Sequence, residues 1–312
     1  MLFSVGVRPN ARLAAEAGLE LGPSGGIRVN EYLQTSDPDI FAGGDCVETP
    51  HRILERGAFL PLGSLANRHG RIIGDNLTGG RSRFEGALGT TVLQVAGFHV
   101  GRTGLTERQA REEGFAPWTA LVPSPDHLHY MPTAKTIVVK LIADQETGRL
   151  LGGQIVGPGD AIKRTDVLAT AIHFRATVDD LPAIDLGYAP PYSFPIDPIQ
   201  HAANVLRNKR DGIAQGISPA ELKAKLDAGE PVLLLDVRTP QEVAAQPFPH
   251  PQVVHIPLGA LRRRAQTLPR DREIVTFCKI SLRGYEAQKI LNALGFTNVK
   301  FLDGGLVTWP YD

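Results

Sequence analysis

The stretch EIVTFCKISLRGYEAQKIL, from Glu273 to Leu291, places a cysteine between an apolar run and a helical pattern. The run EIVTF has the continuous hydrophobicity of a buried parallel strand, and YEAQKIL has the spacing of a helix. In a parallel α/β sheet, groups that bind or react lie where the carboxyl end of a strand faces a helix N-terminus. The stretch therefore predicts a doubly wound domain with Cys278 at its functional edge.

The loop after Cys278 offers backbone N–H groups and a cation to an anionic sulfur. Loop amides and the helix dipole stabilise a thiolate and lower its pKa below the free value of about 8.5. The same amides can bind an anionic sulfur or sulfonate group. Arg283 would bring a positive charge to the rim. The spacing alone also allows a structural cysteine beside a solvated arginine.

The flanking sequence predicts more than one domain. SPAELKAKLDAG predicts a helix with Ser218 as its N-cap and Glu221 completing a capping box, and PVLLLDV predicts a buried parallel strand. The polar segment NKRDGIAQG before them is a predicted linker. Ahead of the linker, apolar and polar residues alternate around Gly-rich turns, as in antiparallel strands. The fold class is therefore a multidomain α/β and α+β protein.

Residues 1–80 predict a fragment of a larger unit. They contain short strands and turns, an apolar run LFSVGV at residues 2–7, and a helix between Leu62 and Leu77. A fragment of this size cannot bury a substantial core. We therefore expect it to complete another domain or another chain.

Composition limits the classes of partner. The 312 residues contain 33 Lys plus Arg and 33 Asp plus Glu, and this zero net charge argues against a nucleic-acid or anionic-membrane binder. No run approaches the roughly 18 apolar residues of a membrane span. The start of the chain does not resemble a secretory signal. Cys46 and Cys278 form no disulfide framework, so we expect a reduced, cytoplasmic protein.

Two further signals are weak. His127 and His129 in DHLHY are candidate metal ligands, but the sequence places no third ligand near them, so we predict no metal site. The run from Arg262 to Arg264 is predicted to be a solvated helix face, although it could also attract anionic sulfur donors.

The segment from Ile213 to Trp309 resembles a rhodanese domain. It has the LLLDVRTPQE opening, the HIPLGAL stretch, the Cys-x-x-x-x-Arg loop and a closing FLDGGLVTW. The resemblance implies that Cys278 is the nucleophile and carries a persulfide during sulfur transfer, with Arg283 beside it. It further implies a cradle of backbone N–H groups around the sulfur, formed by Lys279, Ile280, Ser281 and Leu282.

The rhodanese resemblance has departures as well as matches. Ser281 stands where relatives often have glycine, so a positive φ there would strain the backbone. FPHPQVV replaces the usual GHIPGA and alters one edge of the domain. Asp236 and Arg238 resemble the family's structural charged pair, and with the adjacent Glu242 they are interpreted as scaffold.

Four stretches resemble, in order, the C-terminal part of the pyridine nucleotide-disulfide oxidoreductases. They are SVGVRPN, GGIRVNEYLQTSDPDIFAGGDC, LPLGSLANRHGRIIGDNLTG and DLGYAPPYSFPIDPIQHAA. The match is to the CoA-disulfide (CoA-persulfide) reductase branch, in which some members end in a rhodanese domain. It implies a segment of a split FAD-binding domain at 1–80, a dimerisation domain at 81–208 and a rhodanese domain at 209–312.

The same resemblance implies FAD-binding residues. The family's GD motif binds the ribityl chain, which assigns that role to Gly44 and Asp45, since a carboxylate after tight glycines can reach a sugar hydroxyl. An aspartate that only stabilises its own turn is the alternative. A helix beginning near Ser64 implies backbone donation to the flavin from Ala66 and Asn67.

Two tyrosines are implied to act across a subunit interface. Tyr188 and Tyr130 match aromatic positions that reach the partner subunit's active site, although tyrosines in general more often serve packing. The implied assembly is a homodimer, or a complex with a complementary N-terminal half. Cys46 falls in the GDC motif, where the family's cysteine is structural.

Some parts of the family pattern are missing. No GxGxxG follows a strand, and the family's early redox cysteine has no counterpart. We therefore expect the distal half of an FAD-dependent reductase, truncated inside its FAD domain, with NAD(P)H acting only through an N-terminal half. The predicted activity is sulfur transfer from thiosulfate, glutathione persulfide or CoA persulfide. The alternative is a non-catalytic dimerisation or interaction module whose rhodanese fold serves binding.

Overall fold

The structure is a computed structural model that describes residues 5–311. Two compact units divide the chain, one formed by Met1–Thr91 with Arg102–Leu105 and the other by Val92–Gly101 with Thr106–Asp312. The predicted LFSVGV strand lies partly outside the described residues, and its last three residues form no strand. In the described part of the chain, no helix is long and apolar enough to cross a membrane.

The first unit contains little regular structure. Its elements are helix α1 (Arg12–Glu16), strands β1 (Thr49–His51) and β2 (Arg56–Ala58), which pair antiparallel, and helix α2 (Gly63–Leu77). The predicted helix is confirmed, but other segments meet only through single bridges, such as Ile27 with Val47. Two small apolar clusters form the core.

A five-stranded sheet occupies the middle of the chain. Its spatial order is β3, β4, β7, β6, β5, and the β5–β6 and β6–β7 pairs are antiparallel, as predicted. Helix α4 packs against β7, and helix α5 packs against β5 and β6. The strands and helices of this region are β3 (Thr91–Val95), β4 (Phe98–Gly104), α3 (Glu107–Glu112), β5 (Pro117–Pro125), β6 (Thr136–Asp144), β7 (Leu150–Gly157), α4 (Ile162–His173) and α5 (Pro198–Arg210).

The last hundred residues form a parallel sheet in the order β10, β9, β11, β12, β8. Short 3₁₀ helices lie in this region at Ala265–Thr267 and Gly305–Thr308, and a further one lies between α4 and α5 at Leu181–Ala183. The remaining elements are β8 (Gly216–Ile217), α6 (Pro219–Asp227), β9 (Leu233–Asp236), α7 (Pro240–Ala245), β10 (Val253–His255), α8 (Leu258–Arg264), β11 (Ile274–Phe277), α9 (Leu282–Ala293) and β12 (Val299–Leu302).

Helices cover both faces of this parallel sheet. Successive strand residues point to opposite faces, and Leu234 and Leu235 of β9 accordingly belong to different apolar clusters. Leu235 shares its cluster with Leu261 of α8 and Leu291 of α9, whereas Leu234 shares its cluster with Leu222 of α6. The predicted doubly wound arrangement is therefore confirmed.

The predicted capping box at Ser218 is present, whereas the predicted linker before it is partly helical. The Ser218 hydroxyl accepts from the Glu221 N–H at 3.2 Å, and the Glu221 carboxylate accepts from the Ser218 N–H at 2.9 Å, which confirms the capping box.

The predicted linker NKRDGIAQG is instead helical as far as Arg210. Basic residues in the last turn favour this extension because they complement the helix dipole. The boundary between residues 208 and 209 thus falls inside α5, and the three-domain division stays a prediction.

Candidate active site

Cys278 directly follows β11, which lies in the middle of the parallel sheet between β9 and β12. Helix α9 begins shortly afterwards, at Leu282. The cysteine therefore lies at the carboxyl end of a central strand and ahead of a helix N-terminus, as the sequence predicts. Its thiol is free, and the residue is 0% exposed.

The loop after Cys278 presents unpaired backbone donors. The N–H groups from Lys279 to Gly284 donate to no backbone or side-chain oxygen among residues 5–311. The first N–H groups of a helix lack acceptors within the helix, and no side chain caps α9. Such a row of free donors can bind an anion.

The closing segment after β12 fixes the direction of these donors. The carbonyls of Cys278 and Lys279 accept from the N–H groups of Leu306 and Val307 at 3.0 and 3.1 Å. Because a trans peptide points its N–H away from its C=O, the next N–H groups in the loop face the opposite side. Gly305, at a φ of 59°, permits this contact, since an added Cβ would lie 2.5 Å from the Cys278 carbonyl oxygen.

Ser281 has a positive φ, the conformation in which a residue other than glycine is expected to strain the backbone. Its φ is 79° and its ψ is −36°, a region that residues with a Cβ rarely occupy. Its hydroxyl donates to the Leu302 carbonyl at 3.0 Å. The side chain therefore attaches the loop to β12 and leaves the α9 N-terminus uncapped.

Arg283 is paired with a residue that the sequence analysis interpreted as scaffold. Its two terminal nitrogens lie 2.7 and 2.6 Å from the two carboxylate oxygens of Glu242, which is a bidentate ion pair. This pair raises the pKa of Arg283, and the nearby thiol of Cys278 raises it further. The sequence carried no sign of this pairing, because Glu242 and Arg283 lie 41 positions apart.

Asp236 and Arg238 form a separate, buried ion pair. Their side chains are 1% and 2% exposed, and Arg238 Nη2 lies 2.6 Å from Asp236 Oδ2. Arg238 also donates to the Gln246 carbonyl at 2.8 Å, just past the end of α7. The pair therefore connects β9 to the chain after α7, as a scaffold role requires.

In the first unit, the turn formed by Gly43, Gly44 and Asp45 packs against helix α2. The Gly44 N–H donates to Nδ1 of His69 at 3.1 Å, and burial lowers the pKa of His69 and so favours the neutral ring that can accept it. An added Cβ at Gly43 would lie 2.8 Å from the His69 Cβ. Asp45 is exposed, and its carboxylate makes no hydrogen bond or ion pair with any residue from 5 to 311. The role of Asp45 toward the FAD ribityl chain therefore stays a prediction.

At the N-terminus of α2, next to this turn, the two N–H groups predicted to donate to the flavin already have partners within the helix. The Ala66 N–H donates to the Leu62 carbonyl at 3.0 Å. The Asn67 N–H lies inside α2, where the helical pattern pairs it with Gly63. Helix hydrogen bonding therefore occupies both groups. The N–H groups of Gly63 and Ser64 have no oxygen acceptor in the described part of the chain, which leaves them free to donate.

The other candidate residues have local contacts of their own. Both ring nitrogens of His127 are engaged, with Asp126 Oδ1 and Thr133 Oγ1 each at 2.9 Å, whereas His129 is exposed. The Cys46 thiol donates to the Gly43 carbonyl at 3.4 Å, in keeping with a structural role.

Family models match the chain in three consecutive places. The pyridine nucleotide-disulphide oxidoreductase model matches residues 1–58, the dimerisation domain of those enzymes matches 92–197, and the rhodanese-like domain matches 218–311. The chain carries part of a pyridine nucleotide-disulphide oxidoreductase, including its dimerisation domain, and a C-terminal rhodanese-like domain. This confirms the resemblance on which the sequence analysis relied.

Solved structures share this oxidoreductase–rhodanese arrangement. A NAD-dependent persulfide reductase from A. fulgidus is 44% identical with a TM-score of 0.91, over 98% of this chain and 55% of that one. The Bacillus anthracis CoADR-RHD is 37% identical with a TM-score of 0.89, over 97% of this chain and 54% of that one.

Among curated proteins, the NAD(P)H coenzyme A polysulfide/persulfide reductase of Pyrococcus horikoshii is 38% identical over 66% of this chain and 46% of its own length. This oxidoreductase–rhodanese chain thus spans about half the length of the relatives it matches.

Both candidate tyrosines of this oxidoreductase–rhodanese chain are exposed. Tyr130 is 65% exposed and Tyr188 is 47% exposed, and Tyr130 packs its ring edge-on against His129 with centroids 6.0 Å apart. Neither side chain contributes to a core in the described residues. Exposure leaves both available to a second subunit, and their implied role there stays a prediction.

Proposed function

We propose that the rhodanese part of this chain transfers sulfane sulfur through a persulfide on Cys278. The row of unpaired N–H groups from Lys279 to Gly284 carries the proposal, because it offers an anion-binding surface next to a nucleophilic atom. Donors pointed in advance at a developing charge are a common source of catalysis.

The transfer has two balanced steps. The Cys278 thiolate attacks the outer sulfur of the donor, the donor's S–S bond breaks, and sulfite or a thiolate leaves with the electron pair. The product is a Cys278 persulfide anion, which the loop amides stabilise. An acceptor thiolate then attacks the outer sulfur of this persulfide, and the Cys278 thiolate is restored.

For an assembly that contains the remaining length of its relatives, we propose NAD(P)H-dependent reduction of CoA persulfide or disulfide. Asp45 and the N–H groups of Gly63 and Ser64 would hold FAD, on the strength of their free acceptor and donor atoms. When bound, FAD accepts hydride from NAD(P)H and passes electrons to sulfur. Asp45→Asn should lower flavin retention in that assembly, measured by visible absorbance.

The proposed assembly is a homodimer. The support is a dimerisation-domain match and the edge strand β3, on which all five residues are exposed. Tyr130 and Tyr188 would then contribute to the active site of the partner subunit. The cytoplasmic location stays a prediction.

A second candidate function is a binding module without catalysis. The complete burial of Cys278 and the positive φ of Ser281 favour it, since a carrier sulfur must be reached by its donor. This function predicts an intact fold, a dimer and no sulfur transfer.

Sulfur-transfer turnover separates the two functions. Purified protein would be incubated with thiosulfate or glutathione persulfide and a thiol acceptor. We expect turnover that Cys278→Ala abolishes and that Cys46→Ala, the matched cysteine control, leaves intact. Absence of turnover with every donor, in a protein shown to be folded, would favour the binding module.

A further inference from the structure

We propose that Glu242 is a positioning residue that selects the sulfur donor. By neutralising Arg283 beside Cys278, it would make the loop favour organic persulfides over the thiosulfate dianion. This inference rests on the proposed role of Cys278 as a sulfur carrier.

The geometry fixes Glu242 more firmly than a surface ion pair requires. Its carboxylate accepts from Arg283 twice, and also from the N–H and hydroxyl of Thr239 at 3.0 and 3.1 Å. It occupies the third position of α7, so the helix orients it. A bidentate arginine–carboxylate pair of this kind holds one relative orientation.

The ion pair with Glu242 neutralises the positive charge that Arg283 would otherwise offer to an anionic sulfur donor. Arg283 and Glu242 together carry no net charge, although their side chains are only about one-third exposed. Within the described residues of the loop, Lys279 is the other cation, and it is exposed to solvent. The permanent attraction for an anion near Cys278 therefore comes mainly from backbone N–H groups.

This charge balance affects the two donor classes differently. Thiosulfate brings two negative charges to a thiolate and releases sulfite, whereas an organic persulfide brings one charge at its sulfur and releases a thiolate. Coulomb repulsion grows with the product of the charges. A loop whose arginine is already neutralised therefore penalises thiosulfate more than a persulfide.

Glu242→Gln tests the inference because the amide keeps the shape and an acceptor oxygen but removes the charge. We expect kcat/KM for thiosulfate to rise about tenfold and that for glutathione persulfide to change less than about threefold. The pH midpoint of Cys278 alkylation by iodoacetamide should fall by about one unit, since the released Arg283 charge favours the thiolate.

The matched control is Glu221→Gln, which removes the carboxylate of the equivalent capping box on α6. It should leave both the donor ratio and the alkylation midpoint unchanged. The inference would be overturned if Glu242→Gln changed neither the ratio of kcat/KM for the two donors nor the pH midpoint of Cys278 alkylation. It would also be overturned if kcat/KM fell equally for both donors.

A second variant keeps the inference testable if Glu242→Gln does not fold. Arg283→Gln leaves the Glu242 carboxylate uncompensated, so the alkylation midpoint should rise by about one unit. A midpoint that does not rise contradicts the inference. Failure of the proposed function is distinguishable from both outcomes, because it is the absence of Cys278-dependent transfer in the unchanged protein.

Discussion

Lys209 Nζ lies 2.5 Å from Asp303 Oδ2, and this contact joins the last turn of α5 to the segment that holds the Cys278 loop. Lys209 also donates to the Thr119 carbonyl of β5 at 2.8 Å. Asp303 begins the turn whose Leu306 N–H binds the Cys278 carbonyl. The contact thus connects the middle sheet to the support of the candidate active site.

Lys209→Met should lower the free energy of unfolding by about 3 kcal/mol, because it leaves a buried carboxylate without its cation. The two side chains are 14% and 6% exposed. Chemical denaturation measures the loss. The control Lys223→Met removes a more exposed ion pair with Asp227 and should cost about 0.5 kcal/mol. Equal effects would show that the Lys209 contact is only a surface ion pair.

The deficit of Lys209→Met should depend on pH. Burial raises the pKa of Asp303 above its ordinary value of 3.8, and Lys209 opposes that rise. Without Lys209, the folded protein keeps this proton at pH values where the unfolded chain has lost it. The free energy of unfolding therefore falls as the pH rises through that range. We expect the deficit to be largest near neutral pH and to shrink toward acid, which denaturation at several pH values would show.

The Glu242–Arg283 pair should stabilise the fold above pH 4.5 and lose that effect below it. Arg283 lowers the pKa of Glu242 from its ordinary 4.5 to about 2. The unfolded chain thus takes up a proton first as the pH falls, which favours unfolding. The unchanged protein should exceed Glu242→Gln by about 1 kcal/mol at pH 7, a value kept small by solvent screening. A constant difference down to pH 3 would contradict this assignment.

Ser281 should show opposing effects of strain and hydrogen bonding. Ser281→Ala loses the bond to Leu302 but keeps the positive φ, so we expect a loss of about 1 kcal/mol. Ser281→Gly loses the same bond and relieves a strain of about 1–2 kcal/mol. The glycine variant should therefore unfold at a higher denaturant concentration than the alanine variant. The reverse order would show that the backbone at this position is not strained.

The exposed edge strand β3 should form part of a homodimer interface. Leu93 is 50% exposed, between Val92 and Val95 at 48% and 56%. Leu93→Lys should lower the mass measured by light scattering from that of a dimer toward that of a monomer, because it buries a charge on association. Leu13→Lys, at an 81% exposed position on α1, is the control and should remain dimeric. Identical masses for both variants would place the interface elsewhere.

The sequence predicts well the features that depend on neighbouring residues. The strand before Cys278, the helix after it and the Ser218 capping box depend on local pattern, and all three are present. Contacts between distant positions carry no such signal. Glu242 and Arg283 are 41 positions apart, and Lys209 and Asp303 are 94 apart.

The flavin-binding donors show a different limit of sequence analysis. The start of α2 was predicted within one residue, but the assignment of free N–H groups depends on which carbonyls the first turn uses. The Leu62 carbonyl accepts from Ala66, and this moves the free donors to Gly63 and Ser64. A shift of this size lies within the usual uncertainty of helix boundaries.

Intact-protein mass spectrometry after incubation with glutathione persulfide and removal of excess donor tests the central claim most directly. We predict one added sulfur atom per chain on the unchanged protein and on Cys46→Ala, released by a thiol reductant. Cys278→Ala should gain none. An unchanged mass for the folded wild-type protein, or an added sulfur that persists in Cys278→Ala, would contradict the account.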